Sequence, residues 1–445
     1  MSTVLETLRP AAPARAGRWI DDWRPEDPAF WAAGGARVAR RNLIFSILCE
    51  HIGFSVWTMW SVLVLFLGPA YHVDAAGKFL LTAVPALVGS VLRLPYTLAV
   101  ATFGGRNWTV ISAALLLLPS IPAAILIRPG VSYTTLMVLA AVTGLGGGNF
   151  ASSMANINAF YPQRHKGWAL GLNAGGGNIG VAAVQLVGLA VLAATGAGHP
   201  RLVAAVYLPV IVLAALSAAL FMDNLAQARN DRRAMRDAAK DRHTWIMSVL
   251  YIGTFGSFIG FGFAFGQVLQ VQFKPEFRTA IDAAYLTFLG PLLGSLIRPV
   301  GGWLADRFGG ALVTFWNFVA MAAAAGTVLA ASLRHSLPLF LVGFIALFVF
   351  SGVGNGSTYK MIPAIFTAKV GGEVEARRLA GALIGIAGAV GAFGGVLVNV
   401  AFRQSFLTYH TGDAAYLGFL FFYAVCFVLT WAVYLRPSPR RLSGV

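Results

Sequence analysis

Two arginines set the chemical problem. Arg93 ends the run Gly89-Ser90-Val91-Leu92-Arg93 and Arg298 ends Gly294-Ser295-Leu296-Ile297-Arg298, each inside a stretch otherwise almost free of charge. Matched positions are 205 residues apart, and the match resumes at Phe103-Gly104-Gly105 against Phe308-Gly309-Gly310. A guanidinium stays protonated and presents a planar fork of N–H donors that meets a small oxyanion in two parallel hydrogen bonds. Two such forks at equivalent depth would form an electropositive site, with a small, planar, monovalent anion as the expected ligand. Among the remaining formally charged residues, Glu50 and Lys360 also fall in apolar stretches. Each of the four would cost about 2.5–3.5 kcal/mol at the centre of a membrane helix, so each is expected to face a partner or an aqueous cavity. Arginine cannot cycle its proton, whereas Glu50, the adjacent His51 and Lys360 can. The histidines and cysteines show no metal-ligand spacing and no nucleophile–base pairing is visible, so neither metal, cofactor nor enzymatic chemistry is expected.

The elements that must carry these residues follow from composition. The chain has 445 residues, 58% hydrophobic and only 11% charged, against roughly 45–50% and 25% in soluble domains. A soluble enzyme or a nucleic-acid binder is thereby excluded. Uncharged runs of about 20 residues match the length needed to cross ~30 Å of hydrocarbon as a helix. Breaks at polar and Pro-rich joints predict an all-α membrane protein with spans near 41–66, 79–103, 107–127, 133–160, 167–195, 201–222, 244–270, 283–305, 311–332, 337–366, 379–402 and 415–435. The polar stretch 223–242 separates six spans from six. The expected organisation is a cytoplasmic tail at 1–40, a six-helix bundle at 41–222, a cytoplasmic linker at 223–242, a second bundle at 243–436 and a tail at 437–445. With both ends in the cytoplasm, the loops, tails and adjoining span edges on that side hold 23 Lys and Arg against 7 on the other. By the positive-inside rule this predicts N-in, C-in topology, and it accounts for much of the net charge of +16 without a nucleic-acid partner. The early residues lack the apolar core of a secretory leader, and Cys49 and Cys426 both lie in apolar stretches, so no disulfide is expected.

Six plus six helices with parallel half-repeats is the plan of the major facilitator superfamily, whose substrate site lies at mid-membrane between the halves. The loop Gly302-Trp303-Leu304-Ala305-Asp306-Arg307-Phe308-Gly309 resembles that superfamily's G-x-x-x-D-R-x-G signature, which gives Asp306 and Arg307 an expected gating role. Spans 5 and 11 are glycine-rich. Gly171 and Gly175 in one, and Gly385 and Gly391 in the other, are expected at close helix contacts that also allow sliding.

Gly147-Gly148-Asn149-Phe150-Ala151-Ser152-Ser153-Met154, followed by Ala169-Leu170-Gly171-Leu172-Asn173-Ala174-Gly175-Gly176-Gly177-Asn178, resembles the nitrate/nitrite porter family of bacteria. The resemblance spans nearly the whole membrane region. It implies a multi-pass protein of the bacterial inner membrane, surrounded by lipid, moving nitrate and nitrite as a functional monomer. It implies that Arg93 and Arg298 clamp the anion, that Phe54, Phe150 and Phe255 sandwich it, and that Tyr251 and Asn178 donate to it. The chain departs from the exchangers of that family at three places: Glu50 and His51 stand where an apolar residue is usual, Lys360 replaces a glutamine, and Gly388 replaces a small hydroxyl residue. Moving an anion inward against an inside-negative potential costs about 2.3 kcal/mol per 100 mV. Exchange for internal nitrite cancels that cost without a titratable group. Proton co-entry also cancels it, and the three departing titratable side chains favour this symport reading, with Glu50 and Lys360 expected to pair when the anion is absent.

Overall fold

The computed structural model describes residues 18–227, 231–277, 279–370 and 372–437, with Leu442 and Val445. Among these, twelve helices are long and apolar enough to cross a membrane. They are α1 (Pro28–Phe66), α2 (Ala75–Phe103), α3 (Gly105–Leu126), α4 (Tyr133–Phe160), α5 (Gln163–Thr195) and α6 (Arg201–Phe221), then α7 (Arg242–Gln272), α8 (Ile281–Phe308), α9 (Gly310–Leu333), α10 (Leu337–Lys369), α11 (Val374–Tyr409) and α12 (Asp413–Leu435). Six precede the 223–242 connection and six follow it. The two sets meet mainly where α2 lies along α11 and α5 along α8.

Glycine sets how closely the helices approach. A Cβ on Gly147 would lie 2.7 Å from the Gly89 Cα and from the Trp57 ring, and the Trp57 indole donates to the Pro85 carbonyl at 2.7 Å. So α1, α2 and α4 meet backbone to backbone, as small residues permit in lipid. In the second half a Cβ on Gly294 or Gly356 would collide with the Phe348 or Arg298 carbonyl, which draws α8 against α10 in the same way. The repeated Phe-Gly-Gly ends both α2 and α8 for one physical reason. Gly104 has φ +88° and Gly309 has φ +91°, a region that favours glycine.

Two helices leave regular α geometry beside the residues of interest, and α1 does so near its start. α4 tightens to 3-10 over Gly144–Gly148, just before Asn149 and Phe150. α7 widens to a π-turn over Ile252–Gly256, which carries Phe255 and follows Tyr251. α1 also holds a π-turn at Trp31–Gly35. Such departures re-aim side chains and often mark functional positions.

The polar segments are more ordered than the sequence suggests. Of the expected tail at 1–40, residues 28–40 form the first part of α1, while residues 1–17 lie outside the described residues. Strand β1 (Trp19–Ile20) pairs in parallel with β2 (Asn224–Leu225), just after α6. Asp223 fastens this joint by accepting from Arg18 at 3.2 Å, Arg41 at 2.5 Å and Asn42 at 2.8 Å. Within the connection itself, the helix Arg232–Lys240 is capped by the Asp231 carboxylate on the Ala234 N–H. It lies against α11, where Arg378 donates to Asp231, Asp237 and Glu375.

Candidate functional site

Arg93 has no exposed surface. Its guanidinium carbon lies 4.6 Å from the Phe150 ring centroid, 4.7 Å from that of Phe255 and 5.5 Å from that of Trp57. Phe150 and Trp57 belong to the first six helices and Phe255 to the second, so Arg93 reaches across the division between them. Its Nη1 donates to the Gly388 carbonyl of α11 at 2.9 Å. Its Nε and Nη2 have no hydrogen-bond partner. These two atoms form the side edge of the fork, the edge that grips an oxyanion in parallel bonds.

Arg298 is 5% exposed and stands over the Tyr359 ring at 5.3 Å. Its Nη2 donates to the Tyr251 hydroxyl at 3.5 Å, the long limit of a hydrogen bond, and its Nη1 has no partner. Aromatic contacts join the two arginines. Tyr251 stacks on Phe255 at 5.2 Å, Phe255 stacks on Phe150 at 5.9 Å, and Phe54 meets Phe150 edge-on at 6.0 Å. Arg93, Arg298, Tyr251, Phe54, Phe150 and Phe255 therefore form one connected group at the junction of the halves. Asn178 is fully buried, and both polar atoms of its carboxamide lack partners. It lies between Gly177, which abuts Glu50, and Gly180, which abuts the His51 carbonyl and Phe54.

Glu50 is 1% exposed and belongs to this neighbourhood. Its Oε2 accepts from Ser153 and, at 2.6 Å, from the Asn173 amide, while its Oε1 has no partner. Arg93 and Arg298 are both within its electrostatic reach, yet it forms no ion pair among the described residues. His51 turns away, its Nδ1 lying 3.1 Å from the Gly176 carbonyl.

Lys360 does not join the group, and the expected Glu50–Lys360 pair does not form. The Lys360 ammonium lies 2.8 Å from Asp306, at a largely exposed position. One residue turns a helical side chain by about 100°, so Tyr359 faces Arg298 while Lys360 faces the end of α8. Asp306 is eight residues past Arg298, about 12 Å further along the axis. Asp306 thus ties α8 to α10, and the Arg307 guanidinium lies 5.7 Å from the Trp303 ring.

The glycines divide into two kinds. Gly391 is a close contact, pressed against the Tyr251 ring. Gly171 and Gly175 are not: a Cβ on either would meet nothing within 4 Å. Gly385 would meet only the tip of Met235, at 4.0 Å, and Gly388 only Arg93 Nη1, at 3.8 Å. At Gly171 and Gly175 the missing side chain leaves open space, and at Gly385 and Gly388 an ordinary contact, instead of a tight joint. Gly381, Gly385 and Gly388 line, with Leu170, Met154 and Arg93, a cavity of about 70 Å³ between the halves. It runs from Arg93 toward the face bearing the 223–242 connection.

The opposite face is closed. Thr82 donates to Asn399 at 2.8 Å, Gln267 to the Ala75 carbonyl at 2.7 Å and Gln185 to the Gly262 carbonyl at 2.9 Å, all between halves. Phe79 stacks on Phe402 at 5.6 Å and on Phe406 at 5.4 Å.

Sequence reasoning missed Trp57, Tyr359 and the Gly388 carbonyl as neighbours of the arginines. It also gave no role to Asn149, quoted only within the family motif, or to Asn355, two buried carboxamides without partners. The faint repeat of Gly148-Asn149 against Gly354-Asn355 was the available signal for these last two.

Comparison with known proteins agrees with this architecture. The profile of the Major Facilitator Superfamily matches residues 43–399. The chain is 36% identical to the nitrate/nitrite transporter NarU of Salmonella typhimurium, covering 95% of this chain and 97% of that one. It is 35% identical to the probable nitrate/nitrite antiporter NarK2 of Thermus thermophilus, over 96% and 98%. Among solved structures, the xylose transporter XylE from E. coli, in a partially occluded inward-open conformation, aligns with a TM-score of 0.69 at 13% identity, over 91% of this chain and 99% of that one. A D-xylose-proton symporter aligns at 0.65 and 15%, over 88% and 97%. At such identities these structures speak for the fold alone.

Proposed function

The chain belongs to the Major Facilitator Superfamily, and within it to the nitrate/nitrite transporters of the bacterial inner membrane; we propose that it imports nitrate together with a proton by alternating access. Arg93 and Arg298 hold the anion from opposite halves. Phe54, Phe150 and Phe255 cover its flat faces, and Tyr251 and Asn178 donate to its edge. The bias of positive charge puts the 223–242 connection in the cytoplasm. On that reading the structure is an inward-facing state, closed toward the periplasm by Thr82–Asn399 and the Phe79 stack.

The observation that carries proton coupling is Glu50, a buried carboxylate without an ion pair, within reach of both arginines. With Lys360 held at Asp306, the site charge is set by two guanidiniums and one carboxylate. An ionised Glu50 in the empty site leaves a net charge of one. A protonated Glu50 with bound nitrate leaves the same net charge. Loaded and empty carriers then cross the membrane field at equal electrostatic cost, and the ~2.3 kcal/mol per 100 mV that nitrate alone would face is cancelled. Protonation also removes the carboxylate that competes with nitrate for the two guanidiniums. A second reading, exchange of nitrite for nitrate, is favoured by the antiporter name of the Thermus relative. Proteoliposomes free of internal nitrite separate the two. Symport predicts nitrate accumulation under an inward proton gradient, lost in Glu50→Gln. Absence of uptake by the unaltered protein under that gradient leaves exchange alone.

A further inference from the structure

Glu50 shares the first six helices with a row of polar groups that substrate binding does not use. Ser153 of α4 donates to its Oε2, and the Ser153 and Ser46 hydroxyls lie 3.0 Å apart. Asn173 of α5 donates to both Glu50 and Ser153 and so fixes the corner between them. Asn42 stands one turn before Ser46 on α1, and its amide donates to Asp223 at 2.8 Å. Asp223 lies at the start of the 223–242 connection, where Arg18 and Arg41, each about a third exposed, grip its carboxylate. Ser46, Glu50, Ser153 and Asn42 are each no more than 7% exposed.

This row runs behind the anion cavity. The cavity is lined by Phe150, Ala151, Met154 and Ala155 of α4, whereas Ser153 faces α1 on another side of that helix. Among the described residues, the other groups packed on Glu50 include no second titratable side chain that could take its proton. Gly177 covers Oε1, and the neighbours from α4 and α5 are neutral. The charged groups in reach are Arg93 of α2 and Arg298 of α8, neither of which can take a proton. Glu50's chain neighbours point elsewhere, His51 to the Gly176 carbonyl and Cys49 to the Ala214 carbonyl.

We infer that Glu50 exchanges its proton with the cytoplasmic face through Ser153 and Ser46, along a route inside the first bundle that is separate from the anion's; this rests on the proton-coupled reading above. For release, the Glu50 Oε2 proton passes to Ser153 Oγ as the Ser153 hydroxyl proton passes to Ser46 Oγ. Ser46 gives its own proton to a water near Asn42 and Asp223, and rotation of the two hydroxyls resets the row. The balance is one protonated carboxyl and one water becoming one carboxylate and one hydronium. Ser46 and Asn42 are one helical turn apart, about 6 Å along the axis of α1, and it is this step that a water is required to carry. Separate routes keep the proton from depending on an open anion cavity, and they keep the anion from screening Glu50 as it leaves.

The test uses the full chain in proteoliposomes with an entrapped pH dye, reading protons entering per labelled nitrate. Ser46→Ala and Ser153→Ala each lower that ratio at least tenfold, and Ser153→Thr, which keeps the hydroxyl, restores it. Ser46 does not touch Glu50, so Ser46→Ala decides the matter if Ser153→Ala fails to fold. A ratio equal to that of the unaltered protein in Ser46→Ala overturns the route. Glu50→Gln in the same vesicles is scored separately: an unchanged ratio there overturns proton coupling at Glu50, whatever the serines do.

Discussion

Replacing either clamp arginine by lysine preserves the charge and removes the fork, so the pair of variants isolates geometry from electrostatics. In Arg93 the Nη1 atom is committed to Gly388, and the free Nε–Nη2 edge is the part available to an anion. A lysine ammonium offers a single point of contact, so one charge-assisted hydrogen bond is lost, worth about 1.5–3 kcal/mol. The planar stacking between Phe150 and Phe255 is lost as well, worth about 0.5–2 kcal/mol. The sum is roughly 2–5 kcal/mol. Nitrate has few atoms with which to bind: at a ceiling of about 1.5 kcal/mol per heavy atom it gains about 6 kcal/mol, a dissociation constant on the order of tens of micromolar. Subtracting the loss moves Arg93→Lys to millimolar binding or weaker. Arg298→Lys follows the same logic through its free Nη1 and its seat over Tyr359. Initial rates of nitrate counterflow, measured from micromolar to millimolar nitrate, give the apparent affinities. Binding within threefold of the unaltered protein in both variants would refute the clamp.

Three further outcomes follow from the geometry. Lys360→Met removes a largely exposed ion pair, worth about 0–1 kcal/mol, so nitrate affinity stays within about fivefold; a loss comparable to that of Arg93→Lys would return Lys360 to the anion site. Thr82→Val breaks the 2.8 Å bond to Asn399 on the closed face, shifting the inward–outward balance by about 0.5–1.5 kcal/mol. That is a rise of about 2–13-fold in outward-open population, read by labelling of a cysteine placed near Phe79, and unchanged labelling counts against that bond as a gate. The Asp231 carboxyl is held below its usual value of 3.8, first by the Ala234 N–H and then by Arg378. A lowered folded-state value gives stability that is present above the unfolded value and lost as pH falls through the folded one. Proteolysis of the 223–242 connection should therefore rise only below about pH 4, and a rise already at pH 6 would show that another group fastens it.

Much of the fold was legible because lipid leaves so few solutions. Charges confined to joints revealed the spans, and the 205-residue offset exposed the half-repeat. Arg93 and Arg298 were legible for the same reason, as permanent charges in apolar runs at matched positions. The aromatics were not: Phe54, Phe150 and Phe255 look like any packing residues, and only family resemblance singled them out. Lys360 misled because a sequence gives depth along a helix better than direction around it, and one residue separates it from Tyr359, which does face Arg298. Gly171 and Gly175 misled in a related way, since the sequence does not say whether a missing side chain admits a neighbouring helix or leaves open space. Ser46 went unnoticed, and Ser153 and Asn173 stood only as letters of the family motif with no role of their own, because small polar residues are common in membrane helices. They gain meaning only when α4 and α5 bring Ser153 and Asn173 onto the Glu50 carboxylate and α1 sets Ser46 behind Ser153. The order of residues 18–40 was hidden by their polarity, which favours a tail until Asp223 is seen gathering Arg18, Arg41 and Asn42.

The claim on which the account turns is that two guanidiniums, one from each half, enclose a small planar anion. Isotope counterflow in proteoliposomes tests it most directly, with labelled nitrate outside and nitrate, nitrite, chlorate or phosphate inside. The account predicts rapid counterflow with nitrate and nitrite, weaker counterflow with pyramidal chlorate, and none with phosphate, which is tetrahedral and more highly charged. Counterflow driven by phosphate as readily as by nitrate, or none with nitrate, would contradict it.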